Sequence, residues 1–188
     1  MSGDISGIFL FSKKLILIWL KLSKKVKSLL VVRHAKSSWE WDDLNDFERP
    51  LNERGKRDAP QMARRLEASG AVPDLLIASP AKRAKRTAVL FAREWGISEE
   101  DILYKTELYH APADVFRDIV RKIDDRFPLV ALFSHNPGIT AFVNELTQVK
   151  VDHMPTCGIY AVKIQTEKWS DFLEAKKEFW FFDYPKNG

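Results

Sequence analysis

The stretch LLVVRHAKSSW, residues 29–39, begins as an unbroken apolar run and then places Arg33, His34 and Lys36 close together. A short run of branched apolar residues reads as a buried strand. Charge-bearing side chains at the tip of a buried strand need a partner, because an unpaired charge is costly to hold away from water. The same pattern recurs further on. "DLLIAS" (74–79) reads as a second strand, followed by a Ser79 cap, Pro80 at a first helical position, and "AKRAKRTAVLFAREW" as a helix stopped by Gly96. "PLVALFS" (128–134) reads as another strand, followed by His135 and the helix-opening turn Asn136, Pro137, Gly138, with "GITAFVNELTQ" continuing as a helix.

The remaining segments fit between these. Asn52 is placed to cap a helix running through "ERGKRDAPQMARRLEAS" to Gly70, with Pro60 as a point for a kink. "ILYK" (102–105) reads as extended, residues 112–127 as a helix, and residues 158–165 and 178–184 as late strands. Repeated strand–helix units predict a three-layer α/β/α sandwich with a mostly parallel central sheet. In such sheets ligands bind at the carboxyl ends of the strands. Three strand ends would then share one edge: Arg33 and His34 on the first, Arg83 and Arg86 after the second, His135 after the later one. Arginine presents planar paired donors that match phosphate oxygens. Helix N-termini add N–H donors and partial positive charge. A neutral imidazole adds a nucleophile. The pattern points to a phosphate site with chemistry, although a single strand-end histidine or helix arginine is usually structural or solvated.

Composition bounds the alternatives. A chain of 188 residues, 45% hydrophobic and 30% charged, suits one globular domain. Its one cysteine, Cys157, has no disulfide partner and no second thiolate for a metal site, so it reads as structural. The formal charge of +4 is concentrated at the start. Residues 1–27 hold six lysines against Asp4 alone, which leaves the body close to neutral and argues against nucleic acid as a partner. We therefore divide the chain into an N-terminal extension, 1–27, and one domain, 28–188. The apolar part of the extension is split by Lys13 and Lys14, too short for a bilayer span and lacking a leader's cleavage site. Three readings of it stand: an interfacial helix drawn to anionic lipid through residues 5–27, an extra packed helix, or residues preceding a natural start near Val26. The expected compartment is the cytoplasm.

The segments VVRHAKSSW, ERPLNERG, SPAKRAKRTA and SHNPGI together resemble, in order and spacing, the histidine phosphatase superfamily, the phosphoglycerate mutase-like fold. The likeness is strongest to its SixA-type phosphohistidine phosphatases and runs from about residue 28 to the C-terminus. It implies that His34 is the nucleophile, that Arg33, Arg83 and His135 bind the phosphoryl group, and that no metal or organic cofactor is used. Arg86, Ser37 and Asn136 are expected to line the substrate site. The chain departs from the wider pattern at Ala35, where many members have glycine, at Arg86, where many have glutamine, and at Glu40, where mutases have asparagine. The last argues against a glycolytic mutase.

Glu107 in "KTELYHAP" is the candidate general acid, with Asp42, Asp43 and Asp46 behind it. SixA-type enzymes need a weaker acid, because imidazole leaves phosphorus more readily than an alkoxide. His110 and His153 are read as non-catalytic, and no histidine pair has the i, i+4 spacing of a zinc site. The expected activity is hydrolysis of phosphohistidine on a protein, or of small phosphomonoesters, through a phosphohistidine intermediate. A different class competes: a phosphate- or phosphoprotein-binding module of the same fold with weak catalysis.

Overall fold

A computed structural model describes residues 26–38 and 45–187. Residues 1–25 of the N-terminal extension and the acid candidates Asp42 and Asp43 lie outside them. β1 (Lys27–Arg33) is central. Around it lie β2 (Leu75–Ala78), β3 (Leu103–Tyr104), β4 (Leu129–Ser134), β5 (Ile159–Ile164) and β6 (Lys177–Asp183), in the order β3-β2-β4-β1-β5-β6. The β1–β4, β4–β2 and β2–β3 pairs are parallel, and only β5 runs against the rest. The expected mostly parallel sheet is therefore present.

β1 explains why both faces are covered. Leu29, Leu30, Val31 and Val32 are all fully buried. Successive side chains point to opposite faces. Leu30 and Val32 pack with Ala59, Met62 and Ala63 of α1 (Glu53–Ala68) and with Ala88 and Phe91 of α2 (Lys82–Glu94). Leu29 and Val31 pack with Phe116 and Val120 of α3 (Ala113–Arg121) and with Ile139, Phe142 and Val143 of α4 (Gly138–Leu146). The result is the three-layer α/β/α sandwich. Among the described residues no helix is long and apolar enough to cross a membrane.

Several boundaries shift for local reasons. α1 starts at the Asn52 cap, whose side chain accepts from Gly55 N–H, and passes Pro60 without dividing. Its end at Gly70 takes a φ of 72°, a conformation that suits glycine. α2 begins only at Lys82, where the cap position is Ala81 and offers no side-chain acceptor, while the Ser79 hydroxyl accepts from Ala81 N–H and bonds His135. α3 stops at Arg121 rather than continuing to 127. There the Asp124 carboxylate takes the Arg126 N–H and Lys27 takes the carbonyls of Asp125 and Phe127, turning the chain into β4.

Candidate active site

Parallel pairing of β1 with β4 sets Arg33 opposite Ser134. The next residue of each strand is a histidine, and His34 N–H donates to the Ser134 carbonyl at 3.0 Å. The two imidazoles therefore meet by register alone, with ring centroids 5.1 Å apart. β2 lies on the far side of β4, and its tip delivers Ser79 to His135 Nε2 at 2.8 Å. α2 then brings Arg83, whose Nε–H points at His34 Nε2 at 3.3 Å.

The tautomer of His34 follows from its neighbours. Nδ1 lies 2.8 Å from the Ala35 carbonyl, which can only accept, so Nδ1 carries the proton. Nε2 keeps its lone pair, which faces the pocket and accepts from Arg83 Nε–H. Burial pushes the His34 pKa down to about 3; Arg83, Arg33 and Arg49 add to this, and the Ala35 bond offsets a part of it. Burial likewise lowers His135 to about 2, helped by His34 and Arg83. Both rings are neutral at physiological pH.

The pocket holds about 190 Å³ and is lined by Arg33, His34, Lys36, Ser37, Asp46, Arg49, Arg83, His110, His135, Asn136 and Thr156. Arg33 spends one Nη on the Met154 carbonyl at 2.7 Å, and its Nε is buried without a hydrogen-bond partner among the described residues. Arg83 is 3% exposed and donates to the backbone carbonyl of Asp46 at 2.5 Å and to its carboxylate at 2.9 Å. The Tyr109 hydroxyl donates to the same carboxylate oxygen at 2.9 Å. Burial raises the Asp46 pKa, but the bonds from Tyr109 and Arg83 outweigh it and hold the carboxyl below its ordinary value.

Six of the predicted site residues meet here: Arg33, His34, Ser37, Arg83, His135 and Asn136. Asn136 is committed to structure, donating to the Met154 carbonyl and accepting from the Thr140 hydroxyl. Ser37 forms an isolated bridge with Leu51. Two predicted residues lie elsewhere. Arg86 is exposed on α2 and does not line the pocket. Glu107 sits in the short 3-10 turn Thr106–Leu108, solvent-exposed and bonded to the Thr106 hydroxyl, facing a different groove. Of the weaker acid candidates, Asp46 is the one in the described lining, and its carboxyl is held below its ordinary value rather than poised as a proton donor. His110, read as non-catalytic, is in the lining, its ring tilted against Tyr109 with centroids 4.1 Å apart and its Nε2 3.6 Å from Asp46.

Arg49 went unassigned from the sequence. It is carried in by the Ser37–Leu51 bridge and by Ser38 N–H donating to the Pro50 carbonyl. Gly55 permits this approach: a Cβ there would lie 2.2 Å from the Lys36 carbonyl oxygen. Thr87 was also missed. Its hydroxyl donates to the Arg83 carbonyl and accepts from Ala35 N–H, tying α2 to the tip of β1. A signal for both existed in the segments that carry Asn52, Gly55 and Arg83. Among the described residues no group of three or more His, Cys, Asp or Glu is arranged to hold a metal ion.

Comparison with known proteins agrees with this geometry. Residues 29–109 match the Histidine phosphatase superfamily (branch 1). An uncharacterized chloroplastic protein of Arabidopsis thaliana is 25% identical over 153 residues, covering 77% of this chain and 70% of its own length. The solved structure of a proposed SixA phosphohistidine phosphatase from Nakamurella multipartitia superposes with a TM-score of 0.74 at 22% identity, over 86% of this chain and 97% of that one. A mycobacterial glucosyl-3-phosphoglycerate phosphatase in complex with VO3 superposes with a TM-score of 0.66 at 16% identity, over 84% and 99%. The arginine–histidine tip of β1 and the arginine of α2 lie within the stretch that matches the histidine phosphatase superfamily, the histidine after β4 joins them in one pocket, and the chain has the phosphoglycerate mutase-like fold of the SixA-type structures.

Proposed function

We propose that this chain is a phosphatase that transfers a phosphoryl group to His34 Nε2 and then to water. The observation that carries this is the locked tautomer of His34, with a lone pair on Nε2 beside Arg83 and His135. Nε2 attacks phosphorus in line, the N–P bond forms, and the bond to the leaving atom breaks. Arg33, Arg83 and His135 stabilise the equatorial oxygens. Water then attacks phosphorus, the N–P bond breaks, and inorganic phosphate leaves with Nε2 again unprotonated. The family and the fold support the reaction class.

For the substrate we propose phosphohistidine on a protein ahead of small phosphomonoesters. Asp46, the carboxylate in the described lining, is held ionised, which suits a nitrogen leaving group better than an alkoxide. The competing reading is a phosphate- or phosphoprotein-binding module of the same fold, which holds the phosphoryl group without forming the N–P bond. Rapid quench separates the two. Wild-type protein is mixed with a phosphohistidine peptide or p-nitrophenyl phosphate and analysed for an alkali-stable, acid-labile phosphoenzyme. The expected result is a phosphoenzyme in the wild type and none in His34→Ala, with turnover lost in parallel. Turnover surviving in a folded His34→Ala protein overturns the mechanism.

A further inference from the structure

Beside the catalytic pocket lies a second cleft of about 520 Å³, and the two share Arg33, Lys36 and Thr156 as a common wall. Beyond that wall the cleft adds Arg54 and Arg57 from α1 and Lys186 from the C-terminal tail. Asp58 is the one carboxylate in its described lining. That carboxylate is buried and lies 3.6 Å from Arg54 and 3.3 Å from Arg57, so it offsets a single charge among five cations. His153, read from the sequence as non-catalytic, lines the same cleft.

The cationic lining is built on fixed elements. Arg54, Arg57 and Gln61 recur at helical spacing and share one face of α1. Arg54 donates to the Thr156 hydroxyl at 3.2 Å, joining α1 to the loop that borders both cavities. The tail is held by Arg65, which donates to the Asp183 carboxylate at 2.7 Å and to the Tyr184 carbonyl at 3.4 Å, bringing Lys186 to the rim. A solvated basic face would be convex and separate from the site. This one is concave, and Arg33 belongs to both cavities.

We propose that this cleft is a subsite for a second anionic group on the substrate, a carboxylate or phosphate carried next to the transferred phosphoryl group. The inference rests on the phosphatase reading and names its substrate class: molecules with at least two anionic groups. The second group belongs either to a small phosphoester or to an acidic side chain flanking phosphohistidine in a protein. Arg33 holds the boundary, while Arg54, Arg57 and Lys186 meet the second anion.

The test compares 4-carboxyphenyl phosphate with 4-carboxamidophenyl phosphate, which match in size and differ by one charge. Wild-type protein is expected to favour the carboxylate by about tenfold in KM, the order expected of one charge-assisted contact. The double variant Arg57→Gln/Lys186→Gln is expected to lose that preference while its p-nitrophenyl phosphate kinetics stay within about twofold. Phosphohistidine peptides with flanking Asp or Asn form the second arm. A charge preference there alone assigns the subsite to protein substrates, and one in the aryl pair alone to small molecules. No charge preference in either arm, or a preference that survives the double substitution, overturns the proposal. Binding of the matching non-hydrolysable phosphonates, read by calorimetry, tests the cleft even if wild-type turnover fails, so failure of the phosphatase reading is seen separately.

Discussion

Two concavities of this molecule differ in a way that separates space from chemistry. The larger, about 1340 Å³, lies where the sheet runs out at the two-residue β3 and along α3. Its walls include Leu75, Ile77, Leu103, Ile119 and Ile123, with carboxylates at the rim. The smaller, about 190 Å³, holds two buried histidines and the buried Arg83 at the tips of β1 and β4 and the start of α2. No histidine lines the large groove among the described residues. Volume follows from where elements end. Reactivity follows from burying ionisable groups against one another, which pushes their pKa values far from ordinary.

The sharpest contrast is His34→Ala, expected to lower phosphoryl turnover on the order of 10³-fold or more, since the covalent route is lost. Steady-state kinetics on p-nitrophenyl phosphate reads it. Arg83→Ala follows, with a loss on the order of 10²–10³-fold, the usual effect of deleting one transition-state donor. A loss below about tenfold would show that Asp46 keeps Arg83 from the phosphoryl group throughout the reaction.

The next effect is on stability. His34 and His135 have folded pKa values near 3 and 2, below the unfolded value near 6.5. The unfolded chain therefore binds protons first, and stability present above pH 6.5 is lost as pH falls toward the folded values. Each buried ring accounts for about 2 kcal/mol lost between pH 6.5 and pH 5. Urea unfolding at both pH values measures the loss, and His34→Asn/His135→Asn should flatten it. A wild-type slope unchanged by that double substitution would mean that the rings are not held neutral.

Asp46→Ala is expected to tighten inhibition by inorganic phosphate several-fold, about 1 kcal/mol, because it removes a rival anion from Arg83. Weaker inhibition would make Asp46 a support for Arg83 instead. The smallest effect belongs to the large groove: Glu107→Gln should leave kcat and KM within about twofold. A large loss there would move the acid chemistry to the groove and break the contrast between the two cavities.

The legibility of the site tracks how each residue is delivered. Arg33, His34 and His135 directly follow apolar runs, and parallel pairing brings such ends together without further information. Arg83 follows β2 within one helical turn and is readable on the same grounds. Arg49 and Asp46 arrive on a segment with no hydrophobic period, drawn in by the Ser37–Leu51 bridge and by Tyr109, contacts that no local pattern announces. Glu107 was misread by proximity. The chain turns between it and His110, whose φ of 54° reverses direction, so Tyr109 and His110 face the pocket and Glu107 faces away. The extent of α3 was misjudged because the carbonyls of Asp125 and Phe127 are taken by Lys27, about a hundred residues away in sequence, a contact that no local pattern announces.

The bond from His34 Nδ1 to the Ala35 carbonyl has an evolutionary consequence. The proton that fixes the His34 tautomer is held by the main chain of the very next residue, and every amino acid supplies that carbonyl. Substitution at position 35 can therefore change packing beneath the tip of β1 without rewriting the tautomer. Lineages are free to explore the side chain there, constrained by the full burial of Ala35 and by its N–H bond to Thr87, while the lone pair on Nε2 is inherited with the backbone.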